Sequence, residues 1–292
     1  MILVFGSINV DVLVPVPLLP RPGETVLGGD YALLPGGKGA NQALAACRAG
    51  ASVMMAGAVG NDSFATLALA GLRVAGVDLG LVRRVERPTG VAAIMVAAGG
   101  ENLIAVAPGA NREAAAASVP DLALGPETIL VCQMEVPAAE NWALIARART
   151  AGARVMLNLA PAAPIDPALF AAIDILIANA GEAAIIGADP AALARRLRQA
   201  LVVTRGGEGA ITFLADGGRI DTTALAIEPI DTTGAGDTFV GVLAAGLDRR
   251  LPLPAALRRA SAAAGLACLA RGAQSAMPDA AAIEDAAARL KD

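Results

Sequence analysis

Asp231-Thr232-Thr233-Gly234-Ala235-Gly236-Asp237-Thr238-Phe239 runs directly into an apolar segment, 240–247, and no other stretch says as much about the architecture. Two glycines, an alanine and two acids stand where the composition predicts a buried helix to begin. The first turn of a helix leaves about four backbone N–H groups without partners, and the helix dipole makes that end attractive to anions. Small residues at 234–236 let a charged ligand come close to the backbone. Asp237 adds a carboxylate at the same place. An anion-binding turn beside a carboxylate base suits transfer of a phosphoryl group to a hydroxyl. The same residues also suit an ordinary helix start, with Thr232 or Thr233 as cap and Asp237 complementing the dipole.

Far upstream, Leu34-Pro35-Gly36-Gly37-Lys38-Gly39-Ala40-Asn41-Gln42 leads into a second apolar segment, 43–49. That helix is apolar all round, which predicts burial. Lys38 falls at its N-terminus, where the dipole disfavours a cation. A charge so placed beside three glycines points to a binding loop; a flexible start with a solvated lysine is the alternative. A P-loop is excluded, because Gly39 stands where that motif requires Ser or Thr. At the N-terminus, a short apolar strand over 2–5 ends in Gly6-Ser7-Ile8-Asn9-Val10-Asp11. If extended, Asn9 and Asp11 share a face. Open α/β sheets place ligands at the carboxyl ends of such strands; an Asx-type turn is the competing explanation.

The remaining segments supply the frame. Stretches 12–17 and 25–34 are broken by Pro15, Pro17, Pro20 and Pro22, which suits edge strands of a small exposed sheet. A strand over 53–58 and a helix over 62–75 follow. Extended segments at 82–85 and 89–97, the latter pairing with 102–106 across Gly99-Gly100, are expected to join the first block in one small sheet over the site. Beyond 111 strands and helices alternate: strands at 128–132, 154–158, 173–178 and 201–204, helices at 138–150 and from 179. Segments 210–214 and 219–222 flank Asp216-Gly217-Gly218, a hairpin signal. Helices at 235–247, 253–270 and 279–290 close the chain. The alternation predicts an α/β fold, a mostly parallel central sheet flanked by helices, in one domain over 1–292. The small sheet, from about 12–34 and 89–107, would be its lid.

Composition narrows the chemistry. Of 292 residues, 55% are hydrophobic, 17% charged and 2% aromatic, so the core must be built of Ala, Val, Leu and Ile. A net charge of -4 without a basic block argues against nucleic acid. The longest charge-free runs, 49–61 and 88–100, fall short of the roughly 20 residues a membrane span requires. The first residues lack the basic region of a signal peptide, so the expectation is a cytoplasmic protein. Cys47, Cys132 and Cys268 are scattered in apolar surroundings, which predicts buried free thiols rather than disulfides or a zinc cluster. Histidine is absent, which removes Ser-His-Asp and Cys-His catalysis and every histidine metal site.

With both glycine motifs placed, the chain resembles the ribokinase-like (PfkB-type) sugar kinases over nearly its whole length, from Gly6-Ser7-Ile8-Asn9-Val10-Asp11 to Gly272-Ala273-Gln274. Within that family, the loop at 36–43 and Leu157-Asn158-Leu159-Ala160-Pro161-Ala162 look most like the members that phosphorylate D-ribose on its 5-hydroxyl. The resemblance implies a ribokinase-like fold and an ATP-dependent kinase acting on D-ribose. Another furanose substrate (a nucleoside, deoxyribose or a fructose derivative) is the alternative, and a sugar-binding sensor without catalysis a more distant one. It implies that Asp237 receives the proton of the sugar hydroxyl, while the N–H groups of Gly234, Ala235 and Gly236 hold the charge on the γ-phosphoryl. Asn9, Asp11, Gly37, Lys38, Asn41, Glu135 and Asp231 would bind sugar hydroxyls. Asn179, Thr204, Gly206 and Gly236 would contact the nucleotide, and Glu182 would order Mg²⁺ through water. Asn179 and Glu182 also make a fair capping box. Asp231, Thr233 and Gly272 resemble a monovalent-cation site, with K⁺ as activator. A homodimer through the lid sheet is the expected assembly.

Overall fold

In the computed structural model, which describes residues 1–186 and 189–290, the N-terminal strand β1 (Ile2–Phe5) is buried along its whole length. Ile2 and Val4 pack into one apolar layer, Leu3 and Phe5 into another. Alternate side chains of a strand point to opposite faces, so a strand apolar at every position belongs at the centre of a sheet covered on both sides. Next in chain order come β2 (Asn9–Val16), β3 (Ala32–Gly36), α1 (Lys38–Arg48), β4 (Val53–Gly60), α2 (Ser63–Ala75), β5 (Asp78–Val85), β6 (Gly90–Ala97) and β7 (Asn102–Ala107). These are followed by β8 (Ile129–Gln133), α3 (Ala138–Thr150), β9 (Arg154–Asn158), β10 (Ile175–Asn179), α4 (Ala180–Ile186), α5 (Pro190–Ala194), β11 (Ala200–Thr204), β12 (Ala210–Leu214) and β13 (Arg219–Thr222). Helices α6 (Ala235–Asp248), α7 (Leu253–Ala267) and α8 (Ala280–Arg289) end the fold.

Among the described residues the strands form two sheets, one of nine strands in the order β13-β12-β11-β10-β9-β8-β1-β4-β5 and one of four in the order β3-β2-β6-β7. From β11 to β5 the neighbours of the large sheet are parallel; β12 and β13 add an antiparallel edge. The face carrying Ile2 and Val4 packs against α1, α2, α6, α7 and α8, and the face carrying Leu3 and Phe5 against α3 and α5. In the small sheet β2 pairs antiparallel with β3 and parallel with β6, and β7 returns antiparallel along β6.

Two sequence expectations are corrected, whereas Asn9 and Asp11 are extended and share a face as expected. The chain leaves the large sheet after Phe5, and both residues lie in β2 of the small sheet, opposite Gly36 and Leu34 of β3. The strand read over 25–34 begins only at Ala32; before it, Gly29 makes a single backbone bond to Pro15, as a glycine pair in the middle of a strand weakens pairing. The segment at 82–85 belongs to β5, which pairs with β4 at the edge of the large sheet rather than with the small one. Among the described residues no helix is long and apolar enough to cross a membrane. The three cysteines are free, with Cys132 and Cys268 buried and Cys47 half-buried.

Candidate active site

Asp237 sits in the first turn of α6, and the fold rather than the local sequence determines how that turn is used. Neither Thr232 nor Thr233 caps the helix. The N-cap is Gly234, in the left-handed region at φ 77° and with no side-chain cap bond, a conformation that favours glycine. The N–H of Ala235 donates to Thr232 O at 3.2 Å, so it closes the turn. The amides of Gly234, Gly236 and Asp237 are left without a backbone partner among the described residues. Gly236 is exposed, and a side-chain carbon added to it would meet nothing within 4 Å, so the space above the turn is open to a ligand.

The Asp237 carboxylate is 8% exposed and held from both sides. Asn41 Nδ2 donates to Oδ2 at 2.9 Å, and Gln42 Nε2 donates to Oδ1 at 2.9 Å. Both donors come from α1, which crosses α6 so closely that an added carbon on Gly241 would lie 2.5 Å from Gln42 O. Gly241 is one turn beyond Asp237 on the same face, so this close approach is what delivers α1 to the carboxylate.

Gly37 and Lys38 open α1, with Gly37 buried at the cap and Lys38 the first helical residue. Glu135, just past β8, ties this corner together. Its Oε2 accepts from the Lys38 N–H at 3.1 Å and from the Ser7 hydroxyl, which itself accepts from Gly39 N–H. Asn9 is 3% exposed and accepts from Asn111 Nδ2 at 2.6 Å, while Asn111 Oδ1 takes the Ile8 N–H. Burial pushes the Asp11 carboxyl up to about 6, with the charges of Glu135 and Asp237 adding to the rise and Lys38 opposing it. Burial alone would lower the Lys38 ammonium, but Asp237, Glu135, Glu182 and Asp11 together outweigh it and raise its pKa. The structure therefore brings Asn9, Asp11, Gly37, Lys38, Asn41, Glu135 and Asp237 into one polar corner, fed by both sheets and by α1.

A second group lies along the carboxyl edge of the large sheet. Asn179 and Thr204 are register partners at the ends of β10 and β11, and Gly206 is exposed in the turn that follows. Asn179 and Glu182 form a reciprocal capping box: Glu182 N–H donates to Asn179 Oδ1 and Asn179 N–H donates to Glu182 Oε2, each at 2.8 Å. Among the described residues no group of three Asp, Glu or Cys side chains is arranged to hold a metal ion. A lone carboxylate of this kind fits only a divalent ion held chiefly by nucleotide phosphates and water, for which Glu182 would be the protein's contribution.

Asp231 stands apart from the polar corner. Its Oδ1 accepts from Thr233 N–H at 2.9 Å and its Oδ2 from Gly272 N–H at 2.8 Å. Burial opposes the charge, but those bonds and nearby Arg271 outweigh it and hold the carboxyl below the usual range. The side chain braces the loop before α6 against the 272–275 turn, where Ala273 packs on Gly234.

Sequence reasoning missed Gln42, Asn111, Gln133, Asn158 and Gln274. Gln42 also donates to Asn158 Oδ1 at 3.0 Å and accepts from Gln133 Nε2 at 2.7 Å; Gln274 Nε2 donates to Asn41 Oδ1 at 3.1 Å. The available signal was position: Gln133 and Asn158 end β8 and β9, where α/β sheets gather ligands.

Comparison with known proteins agrees with this geometry. Residues 1–280 match the family described as pfkB family carbohydrate kinase. The chain is 35% identical to the ribokinase of Bacillus subtilis over 282 residues, covering 95% of this chain and 96% of that one. Among solved structures, ribokinase from Thermotoga maritima superposes with a TM-score of 0.90 at 27% identity, covering 98% of each chain. Arabidopsis thaliana ribokinase, complexed with ribose and ATP, gives a TM-score of 0.89 at 29% identity, covering 99% of each chain. With one continuous match over both glycine motifs and both sheets, the chain belongs to the pfkB family of carbohydrate kinases, phosphotransferases with an alcohol group as acceptor.

Proposed function

We propose that this kinase transfers the γ-phosphoryl group of ATP to the 5-hydroxyl of D-ribose. The carrying observation is the enclosed polar corner around Asp237, in which Asn9, Asp11, Lys38 and Glu135 converge from separate elements. A polyol requires several hydrogen-bonding groups at fixed positions, and a site so built rejects analogues lacking one of them. The relatives named ribokinases, one of them holding ribose and ATP, support the same acceptor.

Phosphoryl transfer depends on positioning and charge neutralisation more than on covalent help. Asp237 orients the attacking hydroxyl and takes its proton late, as the new bond forms. The free amides at the start of α6 stabilise charge on the transferred group. Asn179, Thr204 and Gly206 hold the nucleotide. Mg²⁺, carried with ATP and ordered through water by Glu182, would supply charge neutralisation at the phosphates. An ADP-release assay across ribose, deoxyribose, fructose and several nucleosides tests the assignment: D-ribose should give the highest kcat/KM, and a faster nucleoside would overturn it.

Three finer features belong to this reading. K⁺ would sit between the Asp231 loop and the 272–275 turn, liganded mainly by carbonyls; exchanging it for a bulky organic cation at constant ionic strength should lower activity. A homodimer would cover β7, whose residues are all exposed and include Leu103, Ile104 and Val106; a monomer by sedimentation at micromolar concentration would overturn it. Free thiols and dependence on ATP suit a reducing compartment such as the cytoplasm.

A further inference from the structure

Gln42 and Gln133 are 0% exposed and Gln274 is 4% exposed, so none of the three side chains is open to a ligand in the site. They are nevertheless joined to the one carboxylate that the reaction requires. Gln133 Nε2 donates to Gln42 Oε1, and Gln42 Nε2 to Asp237 Oδ1; Gln274 Nε2 donates to Asn41 Oδ1, and Asn41 Nδ2 to Asp237 Oδ2. We propose that Gln42 backed by Gln133, and Asn41 backed by Gln274, are two amide relays that fix the plane of the Asp237 carboxylate, which makes Gln42, Gln133 and Gln274 positioning residues of the kinase.

The direction of both relays follows from the chemistry of their end point. An ionised carboxylate only accepts hydrogen bonds. Gln42 and Asn41 must each turn an NH₂ group towards Asp237, which leaves their carbonyl oxygens facing outwards. Those oxygens in turn require donors, and Gln133 and Gln274 present theirs. The cost appears at the far ends, where Gln133 Oε1 and Gln274 Oε1 are buried with no partner among the described residues. Buried polar atoms are ordinarily paired, and Leu or Met in these places would remove the two orphaned oxygens only by stripping Gln42 Oε1 and Asn41 Oδ1 of their donors. What the amides achieve and a hydrocarbon could not is one bond to each oxygen of Asp237. That holds the carboxylate against rotation about its Cβ–Cγ bond and leaves each oxygen a further lone pair for the attacking hydroxyl. A proton acceptor kept in line with the attacking hydroxyl raises the fraction of productive encounters.

The inference rests on Asp237 as the base, and the test separates the two. Gln42→Met and Gln133→Met keep length and bulk while removing the amide. Gln42→Met should lower kcat about 10–100-fold and Gln133→Met about 3–10-fold, with the KM for the sugar moving less than about threefold. A purely structural role would lower stability without that split. In an Asp237→Asn background, followed by single-turnover kinetics, adding Gln42→Met should cost less than about twofold, because the group it aligns is gone. Should Gln42→Met not fold, Gln133→Met and Gln274→Met, checked by circular dichroism and thermal unfolding, carry the same test. Unchanged kcat in folded relay variants, or losses that simply multiply with that of Asp237→Asn, would overturn the relays while Asp237 remained the base. Near-normal kcat in Asp237→Asn alone would instead remove the base and the relays with it.

Discussion

On the acceptor side of Asp237, the polar groups are sunk into the protein and already bonded to one another. Asn9, Asn41 and Asp237 are each under a tenth exposed, and Glu135 carries two donors on one oxygen. On the donor side, Asn179, Gly206 and Gly236 are exposed, and what Asn179 and Glu182 bond to is mainly each other. On the function proposed above, the contrast follows from what each half would recognise. A sugar is distinguished hydroxyl by hydroxyl, which demands side chains held in place before it arrives. A nucleotide triphosphate brings its own charge and metal, and exposed backbone amides at strand and helix ends suffice to seat it.

Variants on the two sides should therefore behave differently. Beyond the base itself, the largest effect belongs to Glu135→Ala, which removes one acceptor from the sugar and frees both Ser7 and the Lys38 amide. Loss of a charged hydrogen-bonding group predicts a fall in kcat/KM for the sugar of about 10²-fold. Steady-state kinetics should show the KM for ATP almost unmoved.

Asp11 sharpens the comparison through pH. Its carboxyl is raised from 3.8 to about 6 by burial first, then by Glu135 and Asp237. A carboxyl with a raised folded pKa binds its proton more tightly in the folded state, so stability is gained as pH falls from 6 towards 4 and lost as pH rises through that window. Asp11→Asn should therefore stabilise the protein above pH 6, by on the order of 2–3 kcal/mol, with the advantage disappearing near pH 4. Thermal unfolding across that range checks the sign. In the wild type the sugar KM should rise below pH 6, as the acceptor becomes protonated.

Gly241→Ala tests the contact that joins α1 to the base. The added carbon would lie 2.5 Å from Gln42 O and 2.7 Å from Ala45 Cβ, so the helices must separate. Overpacking predicts a loss of about 1–3 kcal/mol, visible as a lower Tm, together with a lower kcat because Asn41 and Gln42 move. The smallest effect is expected on the donor side. Asn179→Ala removes a helix cap, for about 1 kcal/mol, and should raise the KM for ATP less than about tenfold while leaving the sugar KM alone.

The parts of the site legible in the sequence were those where a residue contradicts its local setting. Lys38 at a helix N-terminus and the glycines before Asp237 are both unfavourable unless a ligand uses them, and the structure places them in one corner. The Asn179–Glu182 box was legible because its two bonds span three residues. Gln42, Gln133 and Gln274 were not. Their partners lie 91 to 233 residues away, and neutral amides carry no charge to stand out in an apolar helix or strand. The large sheet followed from its βα alternation. The entry of Asn9 and Asp11 into the second sheet did not, because Ile8 and Val10 are as buried as β1 itself and continue the same apolar pattern.

The central claim is that a pre-aligned Asp237 removes the proton while the surrounding residues bind the sugar. Asp237→Asn tests it most directly, with sugar binding measured by calorimetry and turnover measured separately. The account predicts a dissociation constant for D-ribose within a few-fold of the wild type and a kcat reduced on the order of 10²–10⁴-fold. A variant that bound D-ribose equally well and kept near-normal kcat would contradict it, and would leave Asp237 as nothing more than a charge at the start of a helix.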